Sequence, residues 1–141
     1  MQCSRRELGM LLPALATASA AAQKQEPALA SRTYVFEDLP VQQNGPNRSR
    51  AILDGQTHTG YPIEMHATEL APGLPSHASH HHLDDELIMV RAGTVEFTIA
   101  GRSTTLSPGS VVYVSSNEEH SLRNAGTTRA HYFVVALGPK S

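Results

Sequence analysis

Four stretches in the second half of the chain share one pattern: short apolar runs, rich in β-branched and aromatic residues, cut at regular spacing by glycine, serine and proline. They read "ELIMVRAG" (86–93), "TVEFTIAG" (94–101), "SVVYVSS" (110–116) and "RAHYFVVALG" (129–138). Each predicts a β-strand. Within the second, Val95, Phe97 and Ile99 alternate with polar neighbours, the spacing of a strand with one face buried. Upstream, "RTYVFEDL" (32–39) predicts another strand, and "PVQQNGPNRSR" (40–50) reads as turn material. "RAILDG" (50–55) and "YPIEMHATEL" (61–70) are short runs separated by Gly and Pro. No segment after residue 22 shows a helical stripe, and there is no internal repeat. The prediction is an all-β single domain whose strand edges are hidden by closing into a barrel or jelly roll.

The first 22 residues break this pattern. Arg5 and Arg6 precede a modest apolar run from Leu8 to Ala18, which ends in the small residues "ASAAA". That order is expected of an export signal, too short to span a bilayer comfortably. The arginine pair points to the twin-arginine route, and the alternative is an N-terminal helix. A polar linker is expected over 23–30, and the barrel domain over 31–141. Removing the signal takes away Arg5, Arg6 and Glu7, leaving nine basic and twelve acidic residues, a formal net charge of −3. A mildly acidic chain without a basic run excludes a nucleic-acid or anionic-membrane footprint. The one cysteine, Cys3, lies inside the signal, so any metal must bind the mature chain through nitrogen and oxygen. The expected location is bacterial periplasm or extracellular space, with no stable membrane insertion once the signal is gone.

Candidate chemistry concentrates in "SHASHHHLDDEL" (76–87), which holds four of the eight histidines. Side chains two and four positions apart on a strand face the same way. His80, His82 and Glu86 therefore share a face, while His81 points away and Asp84 and Asp85 are expected as solvent-facing turn residues. Two imidazoles and a carboxylate suit a divalent first-row metal and leave positions open for water or substrate. His120, in "SSNEEHSLRN", is the best further ligand. His77 is a candidate for the rim, as a supporting group or proton carrier. His66 and His131 lie on strands, where either can face the cavity or be a satisfied histidine on a sheet face; Asn124 is expected to shape a turn. The alternative for the cluster is a solvated loop that binds metal adventitiously.

These residues resemble the cupins. The first cupin motif is Gly, H-x-H, three or four residues, Glu, six residues, Gly; here it runs Gly73, His80-His81-His82, Glu86 and Gly93. In the second motif, Gly109, "SVVYV", Ser115-Ser116-Asn117, His120 and Asn124 fall in register, with fifteen residues between Gly93 and Gly109. Two departures stand out: Gly73 precedes His80 by one residue more than the pattern, and Ser115 and Asn117 replace Pro and Gly. Asn tolerates positive φ best among the other residues, so that turn can survive. The resemblance, covering about residues 60 to 137, implies a double-stranded β-helix (jelly-roll) barrel holding one divalent transition metal (Mn, Fe, Zn, Ni or Cu) through His80, His82, Glu86 and His120.

By parity, Ile88 and Val90 are expected to line a modest, mostly apolar pocket, with Val or Tyr of "SVVYV" opposite. Arg91 and Arg123 are expected as exposed salt-bridge partners. The implied function is an exported metalloenzyme acting on a small molecule, oxygenase-like or isomerase-like; the alternative is a non-catalytic metal- or ligand-binding module. A homodimer is expected, with "RTYVFEDL" as a possible exchanged strand. Twin-arginine export carries folded cargo, so the metal would be chosen inside the cell, where the affinity order favouring copper and zinc can be avoided.

Overall fold

The computed structural model describes residues 27–139. The expected signal, and the linker as far as residue 26, lie outside the described residues. Nine strands follow in order: β1 (Gln42–Asn44), β2 (Asn47–Gln56), β3 (Pro62–Leu70), β4 (Asp85–Ala92), β5 (Val95–Ile99), β6 (Arg102–Leu106), β7 (Val111–Val114), β8 (His120–Asn124) and β9 (Ala130–Leu137). A 3₁₀ turn at Phe36–Asp38 is the one helical element among the described residues. The strands form a six-stranded sheet, ordered β1-β2-β3-β9-β4-β7, and a three-stranded sheet, ordered β6-β5-β8. All their pairings are antiparallel. The fold is an all-β jelly roll.

Alternation sets the two faces. In β9, Ala130, Tyr132, Val134 and Ala136 are buried while the residues between them are half-exposed. Ala130, Tyr132 and Val134 meet Ile88 and Val90 of β4, Val95 and Phe97 of β5, Leu122 of β8 and Val114 of β7 in one core. Burying such side chains contributes about 1.5–3 kcal/mol each, more than an exposed ion pair supplies. A bulge between Ala51 and Leu53 lets both Ala51 and Asp54 pair with inward-facing residues of β3, His66 and Glu64.

Two expectations fail at the start of the chain. "RTYVFEDL" forms no strand, because Phe36 is used as an anchor. Its ring meets Phe133 edge-on at 6.2 Å, and the guanidinium carbons of Arg50 and Arg91 each lie 4.7 Å from its centroid. Arg50 Nη1 also donates to the carbonyls of Phe36 (3.3 Å) and Leu39 (2.7 Å), which holds the backbone in a turn. The segment covers the outer face of the larger sheet. In contrast, "PVQQNGPNRSR" is more than turn: it contains the β1–β2 hairpin, bent at Gly45-Pro46. At the end of the predicted linker, Leu29 donates its N–H to Gln56 O at 2.8 Å.

Asn124 shapes a turn from inside. Fully buried, it donates Nδ2–H to Leu70 O (3.0 Å) and Thr128 O (2.8 Å), and its Oδ1 accepts from Gly126 N–H (2.9 Å). Arg123 pairs with Glu96 at 2.7 Å on the surface, the role the sequence suggested. Arg91 instead lies against Phe36.

Candidate metal centre

The connection from β3 to β4 is laid against β8 by backbone hydrogen bonds. Gly73 N–H donates to Asn124 O (3.1 Å), Asn124 N–H to Leu74 O (2.9 Å) and Ser76 N–H to Leu122 O (3.0 Å). His80 and His120 then pair directly, N–H to O at 3.1 and 2.9 Å in the two directions. The expected strand through the histidine run is thus a bridge at His80 followed by a bend. Glu86 enters from β4, opposite Ala136 of β9 and Val114 of β7. Ring centroids of His80, His82 and His120 lie 4.6 to 5.3 Å apart, and His120 stacks on Phe97 at 5.9 Å.

The hydrogen bonds fix the tautomers. His82 Nδ1 lies 3.0 Å from Asp84 O and His120 Nδ1 lies 2.9 Å from Glu118 O. A carbonyl only accepts, so both Nδ1 atoms carry hydrogen, and in the neutral ring each Nε2 atom presents its lone pair. Those Nε2 atoms stand 3.3 and 3.4 Å from the two carboxylate oxygens of Glu86. Both are buried without a hydrogen-bond partner, as is His80 Nδ1. Acceptors facing acceptors in a buried site is an unfavourable arrangement that a cation between them resolves. The donor nitrogens of His80, His82 and His120 lie within 4.8 Å of one another, a group that can hold a metal ion.

The flanking residues sort differently from expectation. Asp84 is not solvent-facing: its side chain is 15 % exposed and Oδ1 lies 3.2 Å from His82 Nδ1, drawn inward by that donor. Asp85 Oδ1 accepts Ser116 N–H at 2.8 Å, tying β4 to the turn before His120. Asn117, in place of the motif glycine, adopts φ +62°. His81 is exposed, and His77 stands at the rim with its ring 4.0 Å from that of His80.

Burial, with His77, His120 and His82 nearby, pushes His80 down to about 4. In metal-free protein the unfolded chain therefore binds a proton that the folded chain refuses between about pH 4 and 6.5, and the stability this provides is present above that window. Metal-free protein is expected to lose thermal stability as pH falls from 6.5 towards 4, and His80→Gln to flatten the profile. Melting curves in chelator across that range check it; identical slopes in the two proteins would contradict it.

A cavity of about 540 Å³ opens above the centre. Its lining combines the apolar Ile88, Phe97, Leu122 and Val134 with the polar Gln42, Asn44, Ser49, Glu64, His66 and Thr68. The expected apolar pocket is therefore half polar. Val90 lies in the core instead, and the outward alternation of β7 leaves Val111 and Tyr113 exposed. Burial pushes the Tyr132 phenol up to about 12, so it stays neutral at the cavity wall. His66 does face the cavity, and it is also satisfied: its Nδ1 lies 2.8 Å from Glu64 Oε1. Glu64 was not singled out from the sequence, although "EMH" puts it two positions from His66 on one strand face. His131 pairs with Glu69 and Ala92 in the outward rows, away from the cavity.

A family model described as "Cupin domain" matches residues 66–136, half of the chain. The chain belongs to the cupin family. Solved structures with the cupin fold include an RmlC-like cupin from Shewanella frigidimarina, at 14 % identity and TM-score 0.65, covering 82 % of this chain and 95 % of that one. A predicted oxalate decarboxylase from Thermotoga maritima matches at 17 % identity and TM-score 0.66, covering 77 % and 100 %. The polyketide cyclase RemF from Streptomyces resistomycificus matches at 17 % and 0.64, covering 79 % and 82 %. At these identities the likeness establishes the cupin fold alone. No curated protein matched this cupin in sequence.

Proposed function

We propose that this cupin is an exported metalloprotein that holds one divalent ion (Mn, Fe, Zn, Ni or Cu) through His80, His82, Glu86 and His120. It would act on a small molecule as an oxygenase-like or other metal-assisted enzyme. The observation that carries this reading is the set of buried, unpartnered imidazole nitrogens around Glu86, beneath a cavity of about 540 Å³. That volume suits a small organic ligand. When bound, the ion would supply Lewis acidity and, if redox-active, a means of handling dioxygen. The chain's own residues do the rest. Ile88, Val134 and Leu122 keep water from the ligand, and the polar lining residues orient it. Neighbours named for oxalate decarboxylation and polyketide cyclisation support small-molecule chemistry.

Export follows from the twin-arginine pattern at Arg5 and Arg6. A homodimer is supported by the outward face of β4 and β7, where Met89, Val111 and Tyr113 are exposed. Among the described residues no helix is long and apolar enough to cross a membrane.

The test is elemental analysis of protein expressed with its signal intact and recovered from the periplasm, with its mass measured by light scattering. Oxygen uptake with the Fe- and Mn-loaded forms is then measured against enediols, diketones, flavonols and oxalate. Turnover on one of these is expected. Tight ligand binding without turnover under any metal would replace the enzyme with a binding module, and a monomer would remove the dimer.

A further inference from the structure

The two sheets end on strands that do not pair with each other. The larger ends at β7 and the smaller at β6, although only residues 107–110 separate these strands along the chain. Between them lies a second cavity, of about 530 Å³. Its floor is the inward row of both sheets: Phe97 and Ile99 of β5, Leu106 of β6 and Val112 of β7. Ile99, Leu106 and Val112 pack on the core yet stay only partly buried, and Thr104, paired with the buried Phe97, is exposed. An apolar floor open to water in a cavity of this size suits a small ligand. Phe97 divides this space from the metal centre, since it also lines the cavity above that centre and its ring stacks on His120.

Two charges define the head of the ligand. The chain crosses between the sheets after Leu106, so Leu106 and Val112 lie towards the crossing. Arg102 begins β6 and Glu118 follows β7, at the end away from it. There Ala100 N–H donates to Glu119 O at 2.9 Å, which holds the two turns together. Both charged residues line the cavity. Other arginines are engaged: Arg48 and Arg123 by glutamates, Arg50 and Arg129 by carbonyls, Arg32 and Arg91 by aromatic rings. Among the described residues, neither the Arg102 guanidinium nor the Glu118 carboxylate has a partner, and they do not pair with each other. A ligand carrying only a carboxylate would meet Arg102 but face the like charge of Glu118, and an amine would meet the reverse. A zwitterion answers both.

We propose that the seam between β6 and β7 is a second ligand site, taking a free α-amino acid with an apolar side chain. Its carboxylate accepts from the Arg102 guanidinium, and its ammonium donates to the Glu118 carboxylate. Its side chain lies on Ile99, Leu106 and Val112. No ion takes part, so the site stands independently of the metal centre.

The probe is L-phenylalanine, titrated into isotope-labelled protein purified with zinc, which keeps any bound ion diamagnetic. Binding is followed by nuclear magnetic resonance at Ile99, Leu106 and Val112. Hydrocinnamate, which lacks the ammonium, and phenethylamine, which lacks the carboxylate, are titrated beside it. Wild type is expected to bind phenylalanine roughly tenfold more tightly than either analogue. Arg102→Gln should abolish the preference over phenethylamine, and Glu118→Gln the preference over hydrocinnamate. An analogue that binds wild type as tightly as phenylalanine overturns the proposal, as does a preference that survives its variant. Shifts confined to the residues of the metal cavity, or no shifts, overturn it too. Seam signals that move on dilution without ligand count against it equally, because a second copy of the chain then covers the floor.

Discussion

Stripping divalent metal from the folded protein is expected to lower its unfolding temperature by about 10 °C, and readdition to restore it. A ligand present at a hundredfold excess over its dissociation constant stabilises the native state by about 2.7 kcal/mol, and a domain of this size shifts by roughly 4 °C per kcal/mol. The gain is specific to the native state because the donors converge only there: His80 and His120 are placed by their mutual backbone pair, and Glu86 by β4. Glu86→Gln separates this from a general salt effect. It removes the charge and one metal-binding carboxylate while leaving the three imidazoles, so the response to metal should shrink. Its new N–H group can donate to the Nε2 lone pair of a neutral His82 or His120 ring, the atoms that face Glu86 at 3.3 and 3.4 Å. Metal-free Glu86→Gln should therefore melt above metal-free wild type. Differential scanning fluorimetry with and without chelator decides it, and a wild-type melting point indifferent to metal would dispose of the centre.

Gly93→Ala should be the most damaging single methyl group. Gly93 has φ +80°, and a Cβ there would lie 2.7 Å from Ala130 Cα and 2.8 Å from Arg129 O. Both are backbone atoms, so no side-chain rotation relieves the contact. Left-handed backbone in a non-glycine residue and overpacking each cost about 1–3 kcal/mol. The expected loss is therefore about 3–5 kcal/mol, read as the shift in urea midpoint at constant slope. The damage should reach the site, because Ala130 begins β9, the strand between the Glu64–His66 pair and Glu86. Gly101→Ala, where a Cβ meets nothing within 4 Å, is the control for strain without collision. A Gly93→Ala loss no larger than that of Gly101→Ala would contradict the account.

The all-β fold and the meeting of His80, His82, Glu86 and His120 were legible because both rest on local periodicity: strand alternation, and two motifs at defined spacing. What misled was long-range competition for the same residues. "RTYVFEDL" has strand composition, but Phe36 gains more from two guanidinium groups and Phe133 than from a ladder. Asp84 has turn composition, yet the Nδ1–H of His82 turns it inward. "HSLRN" and "RSTTL" lack strong strand composition and become β8 and β6 because β5 supplies a partner on each side. The polar lining of the cavity depends on how β2 and β3 sit against β9. No window of the sequence contains that register.

The direct pairing of residues 80 and 120 also sets an order of events. Forty positions separate them, so that contact forms late relative to the hairpins, after the entropy of closing a long loop has been met. An ion reaching the chain earlier finds histidines of one loop without the buried imidazole from β8. Metal capture therefore reports barrel closure instead of guiding it. In a stopped-flow refolding experiment, the metal signal should trail the appearance of β structure, at a rate that does not depend on ion concentration.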